Sequence, residues 1–182
     1  VIVVRHSRPR IEVLFTSPGD LANGQGPVTT PESVGDPILV KIARTDSNAR
    51  LPTKGSEQAA GWDLYSLEDT IVPFRSSVKL RTGLHVAIPE GFEGQVRARS
   101  SLGSKGLILP HSIGTIDSDY RGELFVLMTW IGEGEAYMVK SGERIAQLVI
   151  APIPNVNFAE VELGKLGDTN RGEGGFGSTG RF

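Results

Sequence analysis

Apolar and polar residues alternate along much of this chain beyond residue 37. Val78 to Val86 keeps the alternation for much of its length, Gln95 to Arg99 repeats it, and Val156 to Leu163 shows it again. Period two marks a strand with one buried face. Ile38 to Ile42 reads as a further short strand. Leu64 to Phe74, interrupted at Glu68-Asp69, reads as a hairpin. Leu124 to Ile131 and Ile145 to Ile153 are nearly continuous apolar runs, as expected of strands buried on both faces. Gly132 and Gly134 end the first run, and Pro152 and Pro154 close the second. Only Ser100 to Lys105 supports a helical turn. Strands recurring at roughly 8–12 residues between turn signals predict an all-β sandwich or barrel.

Residues 1–36 differ from this pattern. Val1 to Val4 and Ile11 to Phe15 are apolar, but Ser17 to Pro37 is rich in Pro, Gly, Thr and Asp. That composition reads as a flexible arm or linker, or the stub of an upstream region. The chain thus divides into an arm over 1–36, a β domain over 37–170 and a glycine-rich tail over 171–182. The first residue is Val1 rather than Met, which reads as a processed or trimmed chain.

Composition narrows the function. With 38% hydrophobic residues in 182, one ordinary core can form. The net charge of −2 shows none of the basic surplus of a duplex-binding protein, so no nucleic-acid partner is expected. There is no cysteine, which excludes disulfides and thiolate metal sites. No apolar run approaches the ~20 residues of a membrane-spanning helix, and nothing reads as a signal peptide. A soluble, intracellular protein is expected.

Five segments carry more chemistry than a plain β domain needs. Ala59 to Ser66 places a lone carboxylate, Asp63, among small and aromatic residues; it suits a metal-bound water or a capped turn. Arg99 to Gly106 puts serines at the start of a helical turn, where hydroxyls and free N–H groups bind phosphate or simply cap the turn. Gly114 to Glu123 holds Asp117, Asp119, Tyr120 and Arg121 within five residues; either carboxylate suits a general base, and an acidic β-turn is the alternative. Asp117 and Asp119 share a side if this segment is a strand. Gly142 to Leu148 sets Arg144 and Gln147 at the entry to a buried strand, as ligand contacts or as an edge salt bridge beside an ordinary amide. Finally, residues 171–182 surround Phe176 with glycines and add Arg171, Ser178 and Thr179. Glycine lets backbone N–H groups converge on an anion, Phe176 offers a face to a planar base, and the polar side chains suit phosphate. This reads as a nucleotide lid or as a flexible tail. Ordering it costs about 1–2 kcal/mol per residue, so order is expected only with nucleotide bound.

The five segments, in this order and at these separations, resemble the five motifs of the trimeric dUTP pyrophosphatases (dUTPases). RSSLGSKG, GTIDSDYRGE, GERIAQL and RGEGGFGSTG match almost letter for letter, and the resemblance covers about residues 38–182. It implies an all-β, jelly-roll-like (β-clip) subunit assembling into a homotrimer whose active sites draw on three chains. It implies hydrolysis of dUTP to dUMP and pyrophosphate, with Mg²⁺ on the triphosphate. By the same resemblance Asp117 activates the attacking water and Asp63 holds waters of the Mg²⁺. Arg99, Ser100 and Gln147 hold phosphate oxygens, and Arg171, Ser178 and Thr179 close on the γ-phosphate end. Tyr120 packs under the deoxyribose and Phe176 covers the uracil. The backbone of a hairpin around residues 107–116 selects uracil. Two positions depart from the pattern. Trp62 stands where Tyr is usual, and His111 stands where many relatives have Asn. His111 is either a donor to a uracil carbonyl or an exposed turn histidine.

Two other readings compete. A dCTP deaminase shares the fold and related phosphate motifs, but the intact third motif and full tail favour dUTP. A regulatory protein that kept the fold is the other, with residues 1–36 as a contact for a protein partner.

Overall fold

The computed structural model describes residues 37–175 and residue 178, and the turn-rich, alternating sequence folds there into short antiparallel strands. In chain order these are β1 (Lys41–Arg44), β2 (Trp62–Tyr65), β3 (Thr70–Pro73), β4 (Ser77–Ala87) and β5 (Phe92–Ala98). A single helical turn, α1 (Ser100–Gly103), leads to β6 (Leu107–Ile108), β7 (Gly114–Ile116), β8 (Glu123–Trp130), β9 (Ala136–Val139) and β10 (Arg144–Pro152). A 3₁₀ turn spans Leu163–Lys165. The arm, residues 1–36, lies outside the described residues, as do Phe176 and Thr179.

The strands form two four-stranded sheets, ordered β1-β4-β8-β6 and β2-β10-β5-β7, and a two-stranded sheet β3-β9. The inward side chains of both larger sheets make one core: Leu80, Leu84, Leu124, Val126 and Met128 from the first meet Leu64, Val96, Ile145 and Leu148 from the second. Burying each such side chain stabilises by about 1.5–3 kcal/mol. This is the expected all-β, jelly-roll-like layering. No helix among the described residues is long and apolar enough to cross a membrane.

Four expectations need correction. The first strand starts at Lys41 rather than Ile38, because its ladder runs from Lys41↔Ala87 to Arg44↔Leu84 and β4 ends there. The segment Leu64 to Phe74 is not a hairpin. β2 pairs with β10 and β3 pairs with β9, so the chain changes sheet at Ser66–Asp69. β8 is not buried on both faces along its length. Leu124, Val126 and Met128 point inward while Phe125 remains 39% exposed. Val156 to Leu163 is not a strand. It has no ladder partner among the described residues, and Phe158 is 98% exposed there.

The helical turn expected at Ser100 is present, and a glycine contact fixes the loop beyond it. Gly106, at φ +101°, lies against the backbone of Gly132, and Ile131 N–H donates to Gly106 C=O at 2.8 Å. A Cβ on Gly106 would overlap the Gly132 backbone; one on Gly132 would overlap the Lys105 carbonyl and the Trp130 ring. The contact ties the loop after α1 to the end of β8.

Candidate functional site

Asp63 is the most constrained carboxylate in the second sheet. It sits on β2 opposite Gln147 of β10, which in turn faces Arg97 of β5. Asp63 is only 7% exposed. Arg99 Nε reaches its Oδ1 at 3.0 Å and Arg144 Nη1 reaches its Oδ2 at 3.2 Å. Arg99 also donates through Nη1 to the Arg144 carbonyl at 3.1 Å, which closes a ring of three residues. One carboxylate between two guanidiniums leaves a net positive charge, suited to an anion. Ser100 follows Arg99 directly at the start of α1, where no side chain caps the turn. Gln147 fixes its own neighbour: a Cβ on Gly61 would lie 2.7 Å from Gln147 Oε1. Asp63, expected to hold waters of a cation, and Arg99, Ser100 and Gln147, expected to hold phosphate oxygens, therefore lie toward one end of one sheet. Arg144 is legible in the sequence only as a strand flank or edge salt bridge. Its partner lies 81 positions away, and no local signal marks that pairing. Trp62, beside Asp63, is partly exposed with Lys54 Nζ 5.4 Å from its ring centre.

Asp117 lies elsewhere. It follows β7 and starts a turn closed by Tyr120 N–H donating to Asp117 C=O at 3.1 Å. Asp117 and Asp119 therefore occupy a turn rather than alternate along a strand, and both are exposed. Ile116 pairs with Gly94, which puts Asp117 level with Glu93 of β5, four residues from Arg97. Four residues are about 13 Å along the strands and three strand spacings about 14 Å across, so the Asp63 and Asp117 backbones stand roughly 19 Å apart. An open groove of about 860 Å³ beside the turn is lined by Lys41, Glu90, Asp117, Asp119 and Arg121, with none of the Asp63 group.

The rest of this turn is tightly held. The Tyr120 ring lies across Gly122, where a Cβ would overlap it, and its hydroxyl donates to Glu123 C=O at 2.9 Å. Arg121 donates through Nη1 to the Ser118 carbonyl at 2.6 Å. The segment 107–116 is not a self-paired hairpin, since β6 pairs with β8 and β7 with β5. Between them His111 is exposed, with Nε2 3.0 Å from where a Gly114 Cβ would sit. In the tail, Arg171 Nε donates to Gly174 C=O at 2.8 Å, and Ser178 N–H donates to Gly175 C=O at 2.9 Å.

Glu123 is the titratable group here with a marked preference. Burial alone would raise its carboxyl pKa. The Arg81 hydrogen bonds, the Gly83 N–H and the Arg81 charge reverse this and hold it below the usual carboxylate range. A depressed folded value stabilises the fold above the unfolded pKa, near 4.3, and that stability is lost as pH falls through the lower folded value. Glu123→Gln is therefore expected to lower Tm at pH 7 by several degrees, at about 2–4 °C per kcal/mol for a chain of this size. The gap to wild type should shrink as melts are taken at pH values progressively below the free Glu value of about 4.3. A gap independent of pH would contradict the assignment.

A divalent cation can be judged from the donor set. Among the described residues, no three His, Asp or Glu side chains come together as a cage. Both Asp63 oxygens already accept from guanidinium. One carboxylate with spare lone pairs fits a hydrated cation that arrives with a phosphate ligand.

Comparison with known proteins shows the family to which the chain is similar. The dUTPase family model matches residues 47–180. The deoxyuridine 5'-triphosphate nucleotidohydrolase of Zymomonas mobilis is 48% identical over 146 residues, 79% of this chain and 98% of the relative. That of Dinoroseobacter shibae is 50% identical over 143 residues, 78% of this chain and 84% of the relative. Among solved structures, a mutant of the phage 80alpha dUTPase superposes with a TM-score of 0.70 at 29% identity, covering 77% of this chain and 98% of that one. The Staphylococcus bacteriophage 80alpha dUTPase solved with dUpNHpp gives 0.66 at 30% identity, covering 78% and 98%.

Proposed function

The chain belongs to the dUTPase family and is a dUTP diphosphatase, and we propose that it hydrolyses dUTP through a water activated by Asp117, in sites shared among three copies of the chain. The observation that carries the shared site is the separation of roughly 19 Å between the Asp63 group and Asp117. A general base works within hydrogen-bond reach of its water, directly or through one more water. Arginines that grip the same triphosphate cannot stand that far off within one copy. A neighbouring copy that brings its Asp117 turn to the Asp63 end of this sheet removes the conflict.

Exposed apolar surface supports the homotrimer. Phe158, Leu163 and Leu166 are 98%, 83% and 71% exposed, and Phe125 faces outward from β8. Covering each would contribute about 1.5–3 kcal/mol. Another copy of the chain is the partner that supplies the missing half of the site as well.

In this reading Arg99, Ser100 and Gln147 hold phosphate oxygens while Arg144 and Asp63 keep Arg99 oriented. Asp117 takes a proton from water; the water oxygen bonds to the α-phosphorus as the bond to the β-phosphate oxygen breaks, and pyrophosphate leaves. Asp63 would touch waters of Mg²⁺, which supplies charge neutralisation on the triphosphate when bound. The Tyr120 ring, held against Gly122, supports the deoxyribose and leaves no room for a 2′-hydroxyl. His111 is the candidate donor to a uracil carbonyl. Arg171, Ser178 and Thr179 close over the phosphates and Phe176 over the base.

Pyrophosphate release from dUTP, dTTP, dCTP and UTP, with and without Mg²⁺, tests the activity. Rapid release from dUTP alone, dependent on Mg²⁺, is the expected pattern. Ammonia from dCTP would instead indicate a deaminase. Light scattering should return three times the chain mass, and a stable active monomer would contradict the shared site.

A further inference from the structure

β4 does not run straight past β8. Their ladder holds from Ser77↔Thr129 to Arg81↔Phe125 and resumes at His85↔Glu123. Thr82, Gly83 and Leu84 therefore stand opposite Leu124 alone, which makes a bulge. The Thr82 hydroxyl closes it, donating to Leu124 C=O at 2.6 Å and accepting from Leu84 N–H at 3.2 Å. Gly83 sits at φ +67°, and a Cβ there would come within 2.8 Å of Ala49 Cβ. Both the conformation and the space call for glycine.

The carboxylate of Glu123 fills the mouth of this bulge. It accepts the Gly83 N–H at 2.8 Å, and Arg81 Nη2 reaches its Oε2 at 3.1 Å. Arg81 Nε lies 3.3 Å from each of its oxygens. The Glu123 side chain is only 12% exposed. The carbonyl of the same residue accepts the Tyr120 hydroxyl. Two positions earlier in the chain, the Arg121 carbonyl accepts His85 Nδ1–H at 2.8 Å. The turn from Asp117 to Gly122 is thus fastened to β4 at its β8 end.

We propose that Glu123 is a positioning residue for sugar selection: seated in the β4 bulge, it fixes the carbonyl that tethers Tyr120, and so how closely the ring meets the 2′ face of the sugar. The inference rests on the reading of Tyr120 as the platform under the deoxyribose. A wall that only abuts a substrate rejects an added hydroxyl weakly. Rejection improves when the wall cannot give way, and a ring tethered by its hydroxyl cannot swing without breaking a bond. Glu123 supplies that stiffness from outside the site, through a charged lock on a strand that touches no substrate.

Steady-state kinetics with dUTP and UTP test the inference on Glu123→Gln, Tyr120→Phe and the double variant. Glu123→Gln leaves an oxygen for Gly83 but removes the charge that holds Arg81. The ratio of kcat/KM for dUTP over UTP is expected to fall on the order of tenfold, the scale of one charged hydrogen bond. Tyr120→Phe removes only the tether and should lower the ratio comparably. The double variant should fall little further, because both changes act through one bond. Arg81→Met removes the same lock from the β4 side and should reproduce the Glu123→Gln ratio if that variant folds poorly. A merely structural Glu123 would lower Tm and both kcat/KM values alike; an unchanged ratio overturns the inference, as does full additivity in the double variant. Tyr120→Ala separates the two levels. If its ratio is unchanged, Tyr120 is not the sugar platform. If its ratio falls while that of Glu123→Gln holds, only the positioning role is wrong.

Discussion

Asp117→Asn is expected to reduce dUTP turnover by about 10²–10⁴-fold while leaving nucleotide affinity nearly unchanged. The substitution keeps the shape of the side chain and removes its ability to take a proton. Asp117 is exposed at the start of its turn, and among the described residues its side chain has no hydrogen-bond partner, while its backbone carbonyl accepts from Tyr120 N–H. The asparagine therefore has no buried pairing to disturb, and Tm should stay near that of wild type. Single-turnover kinetics beside equilibrium binding of a non-hydrolysable dUTP analogue separate the two effects. Near-normal turnover would transfer the role to Asp119, two positions on in the same turn. Lost affinity with intact chemistry would make Asp117 a substrate contact instead of a base.

Removing residues 171–182 is expected to nearly abolish hydrolysis while the β domain still melts cooperatively. No strand lies beyond β10, which ends at Pro152 among the described residues, so the deletion takes away no ladder. It does take away Phe176, whose stacking on a base is worth about 1–3 kcal/mol, and the phosphate-facing Arg171, Ser178 and Thr179. Phe176→Ala alone should show a smaller loss, within roughly the 1–3 kcal/mol of one base–aromatic stack. Mixing the truncated protein with Asp117→Asn sharpens the result. If base and tail reach one site from different copies, random mixed trimers contain sites with both intact, about one quarter of the total at equal amounts. Activity would then reappear from two nearly inactive preparations. If base and tail come from the same copy, mixing restores nothing. Full activity in the truncated protein would mark the tail as a linker.

The layers of the fold are legible in the sequence because alternation reports which residues need cover. It does not report what covers them. Val156 to Leu163 alternates as a strand would, yet Phe158 stands 98% exposed within one chain. The pattern states a demand that the described residues do not meet. The outward Phe125 on β8 has the same explanation. Leu64 to Phe74 reads as a hairpin for a related reason: two adjacent strands joined by a polar break look alike whether they pair with each other or, as here, with β10 and β9. Local sequence sets a strand's faces; its partners are chosen by the whole core. At the site, Asp63, Arg99, Ser100 and Gln147 are each legible as residue types suited to an anion. Their meeting is not, since Asp63 finds its arginines 36 and 81 positions away. Gly61 and Gly122 are unreadable too, because each is glycine to make room for one particular side chain.

Gly106 changes how a signature such as RSSLGSKG is to be weighed. Its final letter touches no phosphate donor; it lets two backbones pass where Gly106 meets Gly132, 26 positions on and outside every motif. The string therefore mixes two vocabularies. Arg99 and Ser100 speak of a ligand, whereas Gly106 speaks of masonry. A distant chain that kept the masonry and lost the ligand letters would still score as kin while having no means to bind a triphosphate. One that altered Gly106 and Gly132 together, reshaping the loop, could keep the chemistry and pass unrecognised. Kinship by motif is thus a statement about architecture and reactivity added together, and only side chains such as Arg99, traced to what they hold, tell the two apart.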